Sequence, residues 1–134
     1  MATTRTDRLD IRSSDDVVKV RQQTRTMAVE AGLSLVDQTK IITAASELAR
    51  NTLDYGGGEI RLEVIEDGGR RGLRLTFTDQ GPGIANIEQA MKDGYTTGSG
   101  LGLGLGGAKR LSNEFSIESN PGLGTKITIA RWRL

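Results

Sequence analysis

The chain has 134 residues, enough for one domain around one hydrophobic core, and 36% of them are hydrophobic. Its 18 Lys and Arg residues nearly balance 17 Asp and Glu residues, which argues against nucleic acid as a partner. No apolar stretch is long enough to span a bilayer and no secretory signal opens the chain, so we expect a single domain over residues 1–134, located in the cytoplasm and without a membrane partner.

The chain contains neither Cys nor His, and these two absences restrict its chemistry. Without Cys there is no disulfide, thiolate nucleophile or zinc–cysteine site. Without His there is no imidazole base, no histidine metal site and no histidine that the chain could phosphorylate on itself. Acid–base chemistry would therefore depend on carboxylates, or on Lys or Tyr with a shifted pKa.

The first third of the chain predicts two helices. Residues 1–6 are polar, which favours a frayed terminus, and residues 9–12 alternate as a short strand does. A hydroxyl cap followed by two carboxylates predicts a helix over residues 15–31. A broad apolar arc with helical period predicts a second helix from about residue 36 to 54.

The second helix carries two polar residues, Glu47 and Asn51, at one edge of its apolar arc. They are four residues apart, so they are neighbours on the helix surface. On its own, such a pair is the ordinary pattern of a solvated helix edge.

The remaining elements are predicted from alternation and turn residues. Residues 59–66 and 73–78 alternate between apolar and polar, and Asp67-Gly68-Gly69 between them indicates a hairpin. Further along the chain we expect a turn-rich loop over 79–84, a short helix over 86–93, a helix ending near residue 113, a strand starting at residue 115, and a last strand over 125–132.

Residues 98–107 read Gly-Ser-Gly-Leu-Gly-Leu-Gly-Leu-Gly-Gly. Each glycine loses conformational entropy on folding and packs no side chain, so such a run favours a place where backbone approaches a ligand closely. A glycine-rich loop that leads into a helix presents free N–H groups to an anion, and phosphate is the first candidate. The run lacks the closing Gly-Lys-Ser/Thr of a Walker P-loop, and no strand directly precedes it as in a dinucleotide fingerprint.

Four motifs occur in a fixed order: Glu47-Leu-Ala-Arg-Asn51, Asp79-Gln-Gly-Pro-Gly83, Gly100-Leu-Gly-Leu-Gly-Leu105 and Gly122-Leu-Gly-Thr125. Each has a purely structural explanation, and their order and spacing together carry the argument. The set resembles the N, G1, G2 and GT motifs of the GHKL superfamily of ATPases and kinases. Within it, residues 46–51, 79–84 and 109–111 resemble the serine/threonine switch kinases of bacterial stressosome signalling.

This resemblance implies a fold and a ligand. The fold is the Bergerat type, an α/β two-layer sandwich in which a mixed, mostly antiparallel sheet is covered on one face by helices. The cofactors are ATP and Mg²⁺. The cofactor-binding residues are Asn51, Asp79, Gly81, Gly83, Gly100, Leu101, Gly102, Leu103, Gly104 and Thr125.

The chemistry of these residues suits ATP. An ionised Asp79 only accepts hydrogen bonds, which matches the N6 amine of adenine and disfavours the O6 acceptor of guanine. Family members place an assisting threonine where this chain has Thr125. Asn51 offers an amide oxygen to Mg²⁺, and the backbone N–H groups of residues 100–104 would contact phosphates.

Glu47 is the candidate catalytic base, one helical turn from the metal ligand, where it could accept the proton of an incoming hydroxyl. Lys109 and Arg110 suit either phosphate contact or a solvated helix end, with the solvated position more common. Tyr95 lies between the G1 and G2 motifs, the lid segment of the family, where simple packing explains it equally well.

By resemblance, the chain is a kinase that phosphorylates a Ser or Thr of a STAS-domain protein, which is both substrate and antagonist, and that then activates a PP2C-type phosphatase. Two alternatives remain open. One is an anti-sigma factor with the same fold that sequesters a sigma factor. The other is an ATP-gated binding module without transfer activity.

Overall fold

The computed structural model describes residues 1–79, 81, 104–120, 122 and 124–133. These residues form β1 (Ala2–Ile11), α1 (Ser14–Glu30), α2 (Leu35–Asp54), β2 (Gly58–Asp67), β3 (Arg70–Asp79), α3 (Gly104–Arg110), β4 (Glu114–Asn120) and β5 (Gly124–Trp132). No helix in these ranges has both the length and the apolar character that a bilayer crossing requires.

The five strands form one sheet in the order β1-β2-β3-β5-β4, and the described strands pair only in antiparallel fashion. The predicted hairpin joins β2 to β3 through Gly68 and Gly69, whose φ angles are +59° and +82°. The expected two-layer α/β arrangement is confirmed, because the helices pack on one face of this sheet.

The core lies between the helices and the inner face of the sheet. The strand register aligns Leu62 with Leu75 and Ile129, and all three are fully buried. A second row aligns Ile60, Phe77 and Ile127. The helices bury the opposing apolar side chains Val17, Val20, Met27, Ile41, Leu48, Leu105 and Ala108.

The expectation that residues 1–6 fray is wrong, because residues 2–6 form the first part of β1. Their pattern lacks apolar alternation since β1 is an edge strand that is stabilised by polar contacts. Thr3 donates a hydrogen bond to Glu63 of β2 at 3.2 Å, and Arg5 pairs with Glu30 of α1. Backbone pairing with β2 accompanies these contacts along β1.

The helix after the glycine run is shorter than predicted and begins inside the run. It ends at Arg110 because Asn113 already donates its N–H to the carbonyl of Ala130 in β5, at 2.9 Å. Residues 104–107, the last four of the run, are helical. The helix predicted over 86–93 lies outside the described residues.

A close backbone contact places the end of β3 beside the end of α2. Gly58 lies opposite Asp79 in the sheet, and a Cβ on Gly58 would lie 1.9 Å from the carbonyl oxygen of Thr78. Just before it, Gly56 and Gly57 have φ angles of +106° and +90°, so the chain turns sharply out of α2 and into β2.

Two leucines test this description of the core. Leu75→Ala removes a fully buried side chain from β3 and is expected to lower the free energy of unfolding by about 2–5 kcal/mol, through lost burial and the cavity left behind. Leu35→Ala removes a side chain that is 76% exposed at the start of α2 and is expected to change it by less than about 0.5 kcal/mol. Urea unfolding of both variants measures the difference, and equal losses would contradict the assigned core.

Candidate functional site

The second helix carries Glu47 and Asn51 toward the interior of the molecule. Its first turn is capped by Ser34, whose hydroxyl accepts the N–H of Asp37 at 3.1 Å. Further along, Glu47 is only 8% exposed, whereas Asn51 is half-buried one turn later. Glu47 is therefore not on the solvated helix edge that its sequence pattern alone would favour.

The carboxyl end of α2 packs directly against the segment that follows β3. Tyr55 closes the helix by donating its N–H to the carbonyl of Asn51 at 3.1 Å. A Cβ on Gly81 would lie 2.2 Å from the carbonyl oxygen of Tyr55, so only glycine fits at this position. This contact places the segment after β3 beside Tyr55, four residues after Asn51 in the chain.

Asp79 is the last residue of β3, and its side chain is held in one orientation. The residue is 6% exposed, and its Oδ1 accepts the N–H of Gly81 at 2.9 Å. Burial raises the pKa of Asp79 above 3.8, the ordinary value of such a carboxyl, although the backbone N–H groups of Gly81 and Thr125 act in the opposite direction. The result is a fixed, weakly hydrated acceptor at the end of the sheet.

Thr125 lies opposite Asp79 on β5 and is 5% exposed. Its hydroxyl is 3.0 Å from the hydroxyl of Ser119 on β4. The site at this end of the sheet therefore combines a carboxylate with a hydroxyl pair. Ser119 was not among the predicted site residues, because its position opposite Thr125 depends on the β4–β5 register, which the sequence does not specify.

Five predicted site residues lie on elements that contact one another. They are Glu47 and Asn51 on α2, Asp79 at the end of β3, Gly81 just after it, and Thr125 on β5. Gly104 begins α3, which packs on α2. The other predicted cofactor-binding residues, Gly83, Gly100, Leu101, Gly102 and Leu103, lie outside the described residues, as does Tyr95. Lys109 and Arg110 are exposed on the last turn of α3.

The side chains at this site have a definite chemical capacity. The oriented carboxylate of Asp79 is able to accept a hydrogen bond from a planar amine, and Gly81 lets the backbone after β3 pack against the carbonyl of Tyr55. The amide oxygen of Asn51 suits Mg²⁺, which keeps several waters and needs few protein ligands. The described residues hold no group of three or more acidic side chains that would bind a metal ion without a ligand's help.

Comparison with protein families matches residues 36–134 to the family described as histidine kinase-, DNA gyrase B-, and HSP90-like ATPase. The serine/threonine-protein kinase RsbT of Bacillus subtilis is 49% identical over 118 residues, which cover 87% of this chain and 89% of RsbT. An anti-sigma F factor of Clostridium acetobutylicum is 35% identical over 107 residues, which cover 74% of this chain and 71% of that protein.

Two solved structures share the fold. The first contains the RsbU and RsbW domains of a Mycobacterium tuberculosis protein, with a TM-score of 0.67, 23% identity, and coverage of 98% of this chain. This chain spans 34% of that structure's chain. The second is the mycobacterial sensor histidine kinase MprB, with a TM-score of 0.57, 18% identity, and coverage of 96% and 99% of the two chains.

The buried carboxyl of Asp79 predicts a definite pH dependence of stability. Its pKa is higher in the fold than in the unfolded chain, so the native state binds more protons between the two values. As pH falls from 7 through this window, Asp79 contributes increasing stability. The free energy of unfolding of the wild type should therefore rise relative to that of Asp79→Asn, as measured by urea unfolding across pH.

Glu63 provides the control of opposite sign. Burial alone would raise the pKa of Glu63, but the hydrogen bonds and charge of Arg74, with Thr3 and Arg61, outweigh burial and hold it below its usual value. Its contribution is present at neutral pH and is lost as pH falls through the lowered pKa. The wild type should lose stability relative to Glu63→Gln over that range, and a parallel trend for the two variants would contradict the assignment.

Proposed function

This chain belongs to the histidine kinase-, DNA gyrase B- and HSP90-like ATPase family, and we propose that it transfers phosphate from Mg-ATP to a STAS-domain antagonist protein. Its likeness to RsbT along most of both chains identifies it as a serine/threonine protein kinase that acts in sigma factor regulation. The substrate, the downstream partner and the role of each site residue belong to the proposal.

The observation that carries the nucleotide assignment is the buried, oriented carboxylate of Asp79. A hydrogen bond from Gly81 fixes Oδ1, and Thr125 lies opposite on β5. This carboxylate would accept the N6 amine of adenine, with the Thr125 hydroxyl assisting. The O6 acceptor of guanine would face the same carboxylate without a proton between them, so ATP is preferred over GTP.

The phosphate end of the nucleotide would lie along α2. Asn51 would supply one amide oxygen to Mg²⁺, which neutralises phosphate charge when it is bound. The backbone N–H groups of residues 100–104, which include Leu101 and Leu103, would complete the phosphate contacts. Of these five residues the structure describes only Gly104, at the start of α3.

Glu47 would act as the base or orient the acceptor. It lies one turn before Asn51 on α2 and is nearly buried, so its carboxylate would accept the proton of the incoming Ser or Thr hydroxyl as the new P–O bond forms. Positioning and charge neutralisation supply most of the rate in phosphoryl transfer, and the base is one contributor.

The acceptor is proposed to be a Ser or Thr of a STAS-domain protein that also inhibits this kinase. Phosphorylation would add roughly −1.5 to −2 charges to the contact surface and weaken it through charge repulsion and desolvation. The released kinase would then bind and activate a PP2C-type phosphatase. The likeness to RsbT supports this assignment over the alternatives.

A second candidate is an anti-sigma factor that sequesters a sigma factor. The likeness to an anti-sigma F factor of Clostridium acetobutylicum favours it specifically. The two candidates differ in partner and not in fold. Binding to an immobilised sigma factor supports the anti-sigma candidate, and binding to a PP2C-type phosphatase supports the switch kinase.

The kinase proposal is tested by incubating the protein with Mg²⁺, labelled ATP and a STAS-domain protein. We expect label on a Ser or Thr of that protein. Glu47→Gln should slow transfer by roughly 10²–10⁴-fold, because the base is lost while the shape of the side chain is kept. The same variant should bind Mg-ATP within a few-fold of the wild type, since Glu47 contacts the acceptor rather than the nucleotide.

The other outcomes of this assay also have definite meanings. Tight ATP binding without any labelled acceptor would favour the ATP-gated binding module. Transfer that survives Glu47→Gln at full rate would remove Glu47 from the mechanism. Failure of the wild-type protein to bind Mg-ATP at millimolar concentration would overturn the nucleotide site itself.

Asp79→Asn tests the adenine contact separately. The substituted side chain presents an amide in place of an acceptor-only carboxylate, so ATP affinity should fall roughly 10- to 150-fold, as for a lost hydrogen bond to a charged group. The preference for ATP over GTP should fall with it. Competition between the two nucleotides, measured by titration, reports both effects, and unchanged discrimination would contradict the role of Asp79.

A further inference from the structure

We propose that Arg131 is a positioning residue that fixes the position of α3 relative to α2. It thereby keeps the start of α3 at the place where a bound triphosphate would contact it. The inference rests on the proposed nucleotide site. It concerns a contact at the opposite end of the molecule from Asp79, made by residues that no motif includes.

The contact is a three-element junction built around one guanidinium. Arg131 lies on the helix-covered face of β5 and is 9% exposed. Its Nε and Nη2 both donate to Oδ1 of Asp37, at 2.9 and 2.8 Å. Its Nη1 donates to the carbonyl oxygen of Leu111, immediately after α3, at 3.0 Å. One side chain therefore links β5, the first turn of α2 and the end of α3.

Each of these elements runs between the junction and the site. Helix α2 begins at the junction and reaches Asn51 after fourteen residues, about 21 Å. Strand β5 runs the other way, from Thr125 to Arg131, about 20 Å. Helix α3 starts at Gly104 and ends next to Leu111. A shift of α3 at Leu111 would therefore move its first residue relative to Asn51, because a short helix moves as a rigid rod.

The junction is built as a specific contact rather than a solvated ion pair. Only 11% of the Arg131 side chain and 16% of the Asp37 side chain are exposed. The hydrogen bond from Arg131 lowers the pKa of Asp37 despite its burial, so the carboxylate is ionised at neutral pH. The bond to Leu111 uses a third nitrogen of the same planar group, an arrangement that a single ammonium cannot reproduce.

The open face of the sheet supplies a matched control. There Arg74 donates two hydrogen bonds to Glu63, each at 3.1 Å, and Glu63 is 7% exposed. The further partners that contact Glu63 are Thr3 on β1 and Arg61 on β2. This pair is also partly buried and bidentate, but it lies on the face away from α2 and α3.

The experiment compares Arg131→Lys with Arg74→Lys in the full chain. For each variant, dissociation constants for Mg-ATP and for adenosine are measured by titration, and urea unfolding gives the free energy of unfolding. Arg131→Lys keeps the charge beside Asp37 but loses the bond to Leu111. We expect Mg-ATP to bind roughly 10- to 100-fold more weakly, as for a misplaced contact group, with adenosine within about twofold.

Arg74→Lys should lower the free energy of unfolding. It should leave unchanged the ratio of the adenosine dissociation constant to the Mg-ATP dissociation constant. Asp37→Asn is the second variant, because it weakens the same junction from the other side. It should lower the adenosine-to-Mg-ATP ratio, as Arg131→Lys should. A purely structural contact would weaken ATP and adenosine equally, and that result would overturn the proposal. So would an effect of Arg74→Lys equal to that of Arg131→Lys.

The remaining outcomes separate this inference from the proposed function. If the wild-type protein binds no Mg-ATP, the nucleotide site fails and the inference fails with it. If the wild type binds Mg-ATP and Arg131→Lys retains the full ratio, only the inference fails. If neither Arg131→Lys nor Asp37→Asn folds, the junction is a stability contact and the positioning role is overturned.

Discussion

The site depends on how closely the backbone packs where α2 ends and β3 ends. Gly58 and Gly81 both occupy places where a Cβ would collide with a carbonyl oxygen, of Thr78 and of Tyr55 respectively. Gly81 lets the backbone after β3 meet the end of α2 without a side chain between them, and Gly58 lets the start of β2, which follows α2, lie close to the end of β3. Because Asn51 and Asp79 lie at these two termini, this steric constraint, rather than any attraction between the polar groups, brings them together.

The same packing gives Asp79 its particular chemistry. Its carboxylate is removed from most of the solvent, and its compensating partners among the described residues are the backbone N–H groups of Gly81 and Thr125, so its ionised form is destabilised in the fold. Glu63 experiences comparable burial, but the guanidinium of Arg74 compensates for it. Within the described part of the chain, Glu63 is paired with a cation, whereas the partners of Asp79 are backbone N–H groups. This contrast supports the proposed binding role of Asp79 and a structural role for Glu63.

The sequence predicted the elements where periodicity is local and failed where tertiary contacts decide. Helices α1 and α2 and the β2–β3 hairpin follow from apolar spacing and glycine turns, and they are confirmed to within a few residues. Strand β1 was missed over residues 2–6 because its contacts, such as Arg5 with Glu30, join residues distant in sequence. Glu47 and Asp79 were predicted as site residues from motifs, but the burial of Glu47 and the Ser119–Thr125 contact depend on how the elements pack and pair.

The two faces of the sheet carry different kinds of residues: stabilising side-chain contacts lie on the open face, and the candidate site residues of the sheet lie on the helix-covered face. The open face is stabilised by its own long side chains: Arg74 pairs with Glu63, and the guanidinium of Arg70 stacks 4.2 Å from the ring centre of Trp132. These contacts fix the strand register without using a helix. The helix-covered face can therefore carry polar groups such as Asp79 and Thr125 at its end, where a fully apolar core would be more stable. A buried carboxylate with a raised pKa is tolerated at this position because the register that places it is secured independently on the other side of the same strands.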